Sequence, residues 1–106
     1  MFFAAIYVPG FVVEAVVRAE PRLYGARVAI VDGTPLLVKV VAANSKARAA
    51  GIEAGMAKVE AEQMSGLALR PRSPALEAAA HRALLECAQA FSPRVEEVAP
   101  DTLLLD

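Results

Sequence analysis

The chain has 106 residues, 57% of them apolar, with 11 basic and 12 acidic side chains and a formal charge of −1. That length suits one small domain with a single core, and the charge excludes a bulk electrostatic attraction to nucleic acid. A lone cysteine, Cys87, rules out an intramolecular disulfide, and with a single histidine it leaves too few soft ligands for a structural zinc site, so a cytoplasmic protein is expected.

Phe2 to Val8 is a short apolar run closed by Pro9-Gly10, which predicts a buried central strand and a turn. Met1 to Val8 lacks the basic start of a secretory signal, and no stretch reaches the roughly 18 apolar residues of a membrane span. Phe11, Val12, Ala15, Val16 and Ala19 then recur at helical spacing up to Pro21. Val28 to Val31 predicts a second strand, the turn dipeptide Asp32-Gly33 a hairpin, and Val38 to Ala43 its partner.

That third strand runs into Asn44-Ser45-Lys46-Ala47-Arg48, a basic turn and short helix that presents Lys46 and Arg48 beside free backbone N–H groups, a combination suited to a polyphosphate. Ala57 to Met64 predicts a further small helix, and Leu67 to Leu69 an extended piece of ambiguous type. Ser73 as N-cap, Pro74 at the first helical position and Glu77 in the opening turn begin a long helix. Its apolar stripe, Leu76, Ala80, Ala83, Leu84, Cys87, Ala88 and Phe91, is expected to face the core, with Cys87 an inert packing residue and His81 on the flank. Arg94 to Ala99 and Thr102 to Asp106 predict two strands around Pro100-Asp101. The chain stops inside that last strand, which leads us to expect a piece of a longer polypeptide. Its sheet is expected to have an open edge near Thr102 to Asp106 able to pair with a second copy as a homodimer.

Charge is unevenly spread. From Arg18 to Arg72 there are nine basic and five acidic residues, against two basic and seven acidic elsewhere, as suits a middle segment that faces phosphates. If the first and last strands are neighbours, Tyr7 and Asp101 meet at one sheet edge with the basic helix over them. That is the layout of a two-metal phosphoryl-transfer site, in which carboxylates hold ions about 3.5–4 Å apart.

At these residues the chain resembles the N-terminal part of a Y-family translesion DNA polymerase. Leu23 to Val31 and Val41 to Met56 are similar to that family's fingers pattern, and Phe91 to Val98 with Asp101 to Asp106 to its palm hairpin. The resemblance spans essentially the whole chain. It implies an α+β fold: a partial ferredoxin-like palm sheet with flanking helices from 1–20 and 73–106, and a small fingers subdomain at 21–72.

The departures from the family pattern bear on function. Tyr7 stands where the family has its first-strand aspartate, and a phenol neutral at pH 7 is a poor Mg²⁺ ligand. At the hairpin Asp101 remains, but Thr102 replaces the family's glutamate. Ser45 and Arg48 correspond to the family's triphosphate-binding tyrosine and arginine, with Lys46 between them, and Val12 falls near its ribose-sensing aromatic. One carboxylate where three are usual resembles the ImuB-type branch. That likeness implies a catalytically degenerate, DNA-associated scaffold of damage-induced (SOS) mutagenesis, without Mg²⁺, whose partners are a separate error-prone polymerase, a RecA-like protein and the sliding clamp. Those partners are bound through parts beyond residue 106, and DNA binding by this piece alone is expected to be weak. The other reading is an active Y-family nucleotidyltransferase that uses Mg²⁺. No acidic residue precedes Glu14, so no small shift of alignment supplies the missing first-strand aspartate.

Overall fold

A computed structural model of the chain describes residues 4–106. The elements run β1 (Ala4–Tyr7), α1 (Phe11–Ala19), a 3₁₀ turn (Pro21–Leu23), β2 (Arg27–Asp32), β3 (Lys39–Ala43), α2 (Ser45–Ala49), α3 (Lys58–Ala61), β4 (Leu67–Pro71), α4 (Pro74–Phe91), β5 (Val95–Ala99) and β6 (Thr102–Leu105). The result is the α+β arrangement expected from the sequence, with its strands in two three-stranded sheets ordered β1-β6-β5 and β3-β2-β4. The part of the first strand predicted at Phe2 and Phe3 lies outside the described residues.

The sheet β3-β2-β4 is covered on both faces, and β2 shows why. Its period-two alternation sends Val28 and Ile30 to one side, against Val13, Val16 and Leu23 of α1 and the turn after it. Ala29 and Val31 go to the other side, against Val40, Ala47, Ile52 and Ala61. Val28, Ala29 and Ile30 are fully buried, and each large side chain so removed from water contributes about 1.5–3 kcal/mol. The predicted hairpin forms, β3 pairing antiparallel with β2. Gly33 makes its turn possible: at φ 133 a Cβ there would lie 2.3 Å from the Leu37 carbonyl oxygen. The ambiguous piece at Leu67 to Leu69 is a strand, β4, parallel to β2.

The other sheet is covered on one face by α4, which packs on α1 in turn. Leu103 at the centre of β6 is fully buried, whereas β1 is largely exposed. Two expectations are corrected here. The first strand is an edge strand of the described sheet rather than a central one, and Tyr7, expected inside, is 63% exposed. The last strand is the middle strand, hydrogen-bonded to β1 on one side and β5 on the other, so Thr102 to Leu105 offer no open edge to a second copy. The cause is that β5 folds back beside β6 while β1 takes its other side, so both lines of β6 backbone groups are used internally.

α4 begins as predicted, with the Ser73 hydroxyl accepting from the Leu76 N–H at 3.2 Å. Replacing Ser73 by Ala should cost about 1 kcal/mol, read as a lower midpoint in urea unfolding with unchanged slope. Its stripe is less buried than expected: Ala88 is fully enclosed, but Cys87, about 100° around the helix from it, is exposed, and Phe91 is 82% exposed. Packed on α1 and one sheet face along most of its length, with Leu76 reaching the core beside β2 at its start, α4 buries a narrow line rather than a wide stripe. α3 is shorter than the predicted helix because its continuation tightens into i→i−3 bonds, Gln63 N–H to Glu60 and Met64 N–H to Ala61, ahead of Ser65-Gly66.

A charged link joins the end of α1 to β4. Glu20 accepts two bonds from Arg70, at 2.9 and 2.8 Å, and one from Arg22 at 2.8 Å. Those donors hold its carboxyl down at about 2. The sign is that of a depressed acid: the link is fully formed above the ordinary carboxylate value and is lost as pH falls toward 2. Among the described residues no helix is long and apolar enough to cross a membrane.

Candidate functional site

Where the two sheets meet, a cleft of about 270 Å³ is lined by Gly10, Phe11, Val12, Ala42, Arg72, Glu77, Pro100 and Asp101. Each wall follows from local sequence. Pro9-Gly10 ends β1 and starts α1, with Gly10 in the left-handed region at φ 65 and no side chain capping the helix, so the backbone at Gly10, Phe11 and Val12 borders the cleft. Pro100-Asp101 turns β5 into β6 and brings Asp101 to the same place. The pairing β1 to β6 sets the rest: Tyr7 lies opposite Thr102, and the Val8 N–H donates to the Asp101 carbonyl at 2.9 Å. Tyr7, Asp101 and Thr102 thus come together at one end of the sheet.

The donor set at that end is poor in negative oxygen. The Asp101 carboxylate accepts the Thr102 hydroxyl at 2.9 Å, and Tyr7 offers an exposed phenol. A second carboxylate does reach the cleft, Glu77 from the first turn of α4, but Arg72 grips it through two bonds at 2.9 and 3.1 Å. That hydrogen-bonded contact raises the Arg72 guanidinium further above its usual range. Among the described residues no three His, Cys, Asp or Glu side chains converge as a metal-binding group. These residues do not fit a pair of divalent ions, which need several carboxylate oxygens at near-octahedral positions. With two carboxylates against one guanidinium, the cleft itself also lacks a free cation for a triphosphate.

The basic helix sits elsewhere. Asn44 caps α2 and ties it down: its Oδ1 accepts from the Ala47 N–H at 2.9 Å and the Val28 N–H at 3.2 Å, and its Nδ2 donates to the Ala26 carbonyl at 2.7 Å. Ala47 is buried on the face of β2 opposite α1, so Ser45, Lys46 and Arg48 do not line the cleft, although Ala42 in the preceding strand does. The Lys46 ammonium donates to the Gly25 carbonyl at 2.5 Å, while the exposed Arg48 side chain has no ion-pair or hydrogen-bond partner among the described residues. Val12 lies at the cleft wall, half-buried.

Arg72 and Glu77 were not singled out as cleft residues by sequence reasoning, nor was the reach of His81 to the hairpin beside the cleft, and the signal for the first two was slight: an arginine just before an N-cap and a glutamate five positions on. His81 is bound on both ring nitrogens, Nδ1 with the Pro100 carbonyl at 2.8 Å and Nε2 with the Glu97 carboxylate at 2.5 Å. Those acceptors, Glu97 first, raise its pKa above the usual 6.5. Glu96 and Glu97 face opposite ways, as neighbours on a strand must, and it is Glu97 that turns to α4.

A post-insertion binary complex of Dbh DNA polymerase superposes with a TM-score of 0.80 at 19% identity, over 96% of this chain and 30% of that one. The crystal structure of DinB from Sulfolobus solfataricus gives 0.76 at 19% identity with the same coverage. A Y-family DNA polymerase chimera built on Dbh gives 0.75 at 20% identity over 96% of this chain and 30% of the chimera. The chain therefore spans about a third of the length of these structures, and at such identities the likeness establishes the fold, that of the palm and fingers region of Y-family polymerases. No curated protein sequence matches the chain. The sequence profile of the impB/mucB/samB family, however, matches residues 6–106, and with the shared fold this places the chain: it belongs to the impB/mucB/samB family, as a Y-family polymerase-like domain.

Proposed function

We propose that this chain is a catalytically degenerate polymerase-like domain that associates with DNA as a scaffold in damage-induced mutagenesis and translesion repair, in the manner of the ImuB-type branch. The observation that carries the reading is the carboxylate set: Asp101 bonded to Thr102, Tyr7 opposite, and Glu77 neutralised by Arg72. Paired Mg²⁺ would retain nearly all its waters in such a site and dissociate readily. Nucleotidyl transfer, the activity implied for the intact family fold, is therefore not the role we assign. Error-prone polymerase, RecA-like protein and sliding clamp remain the partners we assign to the whole polypeptide, working in the cytoplasm.

DNA contact falls to the fingers cations. Arg48 is exposed and unpaired among the described residues, and Lys46 and Ser45 stand beside it on α2. Binding of this chain to duplex DNA is expected to be weak and steeply salt-dependent. Arg48→Ala should weaken it equally for all sequences and reduce the slope of log K against log salt by about one, as measured by fluorescence anisotropy. Binding that is insensitive to salt, or unaffected by Arg48→Ala, would contradict the assignment of α2 to DNA.

A further inference from the structure

His81 occupies a mechanical position that the DNA-scaffold reading does not use. It lies one helical turn after Glu77 on α4, and its ring spans to the tip of the β5–β6 hairpin, where Pro100 and Asp101 form one wall of the cleft. Both of its bonds run to acceptors: a backbone carbonyl on Nδ1 and a carboxylate on Nε2. A neutral imidazole carries one N–H, so it can satisfy one of these acceptors and must present a lone pair to the other. An imidazolium satisfies both. The hairpin is also irregular at this point, with a register shift between Glu97 and Ala99, so fewer ladder bonds hold its tip than a regular hairpin would supply.

We propose that His81 is a proton-operated clasp on the cleft: as imidazolium it pins the β5–β6 hairpin to α4 through two bonds, one to the Pro100 carbonyl in the turn and one to Glu97 on β5, and on losing its proton it releases one of them and loosens the hairpin wall that carries Asp101. The charged surroundings are compatible with this. On α4 itself, Glu77 is committed to Arg72, and Arg82 and Glu86 are exposed. β5 contributes Glu97 towards the ring, while Glu96 pairs with Leu104 in the ladder and faces the other way. The turn contributes Asp101, whose carboxylate takes the Thr102 hydroxyl. α1 brings Glu14 and Arg18 to α4 along the groove at Ala80, Ala83 and Leu84. The raised pKa agrees with the geometry, and its sign fixes the direction: the clasp's contribution is complete below 6.5 and is lost as pH rises through the higher folded-state value.

The test is an NMR titration of the chain that follows the His81 ring carbons together with the amide signals of Asp101 and Thr102. The clasp predicts a His81 midpoint above 6.5, and amide signals at the hairpin tip that move with the same midpoint. Glu97 is half-exposed, so Glu97→Gln should leave the fold intact while drawing the His81 midpoint back toward 6.5 and carrying the hairpin-tip transition with it. A wild-type midpoint at or below 6.5, or Asp101 and Thr102 amides that ignore the His81 titration, would overturn the proposal.

Discussion

Asn44→Ala is expected to destabilise the chain by about 2–4 kcal/mol, because one side chain closes three bonds: two backbone N–H groups donate to its Oδ1, and its Nδ2 donates to the Ala26 carbonyl. Two of those backbone partners, Ala26 and Val28, flank the start of β2, whose central residues Val28 to Val31 are buried, and the third is in the first turn of α2. Removing the amide leaves partly buried donors and an acceptor unpaired, which costs more than the bonds' net worth. For a domain of this size the loss corresponds to a fall in Tm of roughly 10–25 °C, measurable by calorimetry or circular dichroism. Asn44→Asp probes the parts: it keeps both accepted bonds but turns the donated one into a repulsion between a carboxylate oxygen and the Ala26 carbonyl, so its cost should fall below that of Asn44→Ala by what the accepted bonds contribute beyond that repulsion. Equal costs for the two variants would show that the accepted bonds contribute no more than this repulsion takes away.

The second large effect concerns metal. In Tyr7→Asp/Thr102→Glu, two carboxylates are placed opposite each other at the β1–β6 pair and the hydroxyl that now occupies Asp101 is removed. Divalent-ion affinity, followed by Mn²⁺ paramagnetic resonance, should rise by about tenfold or more, since each charge-assisted contact is worth roughly 1.5–3 kcal/mol. Tyr7 is exposed and Thr102 lies at the end of its strand, so the double variant should fold. The converse change, Asp101→Ala in the wild-type chain, should alter Mn²⁺ binding little, because there is little to lose.

Much of the fold was legible because its signals are local. The hairpin β2–β3 follows from an apolar run, Asp32-Gly33 and a second run; α4 follows from Ser73-Pro74 and its helical periodicity. What the sequence did not disclose is pairwise. A strand's own residues do not say whether it is central or at an edge, and Ala4 to Tyr7 read as buried because their composition is apolar, while their sheet has cover on one face only. The same blindness made Cys87 and Phe91 core residues on a helix whose buried line is narrow. At the site, Tyr7, Asp101 and Thr102 were brought together in advance by resemblance and by the pairing of first and last strands. The Arg72–Glu77 grip and the His81 span could not be read, since each joins side chains whose proximity depends on the turn at Ser73 or on the return of β5. The basic helix illustrates the reverse case: Lys46 and Arg48 stand on the short helix expected after the third strand, yet β2 stands between α2 and the cleft over which it was expected to lie.

On the proposed reading the cleft has too few carboxylate oxygens to hold paired divalent ions, and titrating the wild-type chain with Mn²⁺ in the presence of a deoxynucleoside triphosphate tests this most directly. The expected result is Mn²⁺ bound no more tightly than to the free nucleotide, with no change on Asp101→Ala. Saturable binding of two ions per chain that Asp101→Ala abolishes would contradict it.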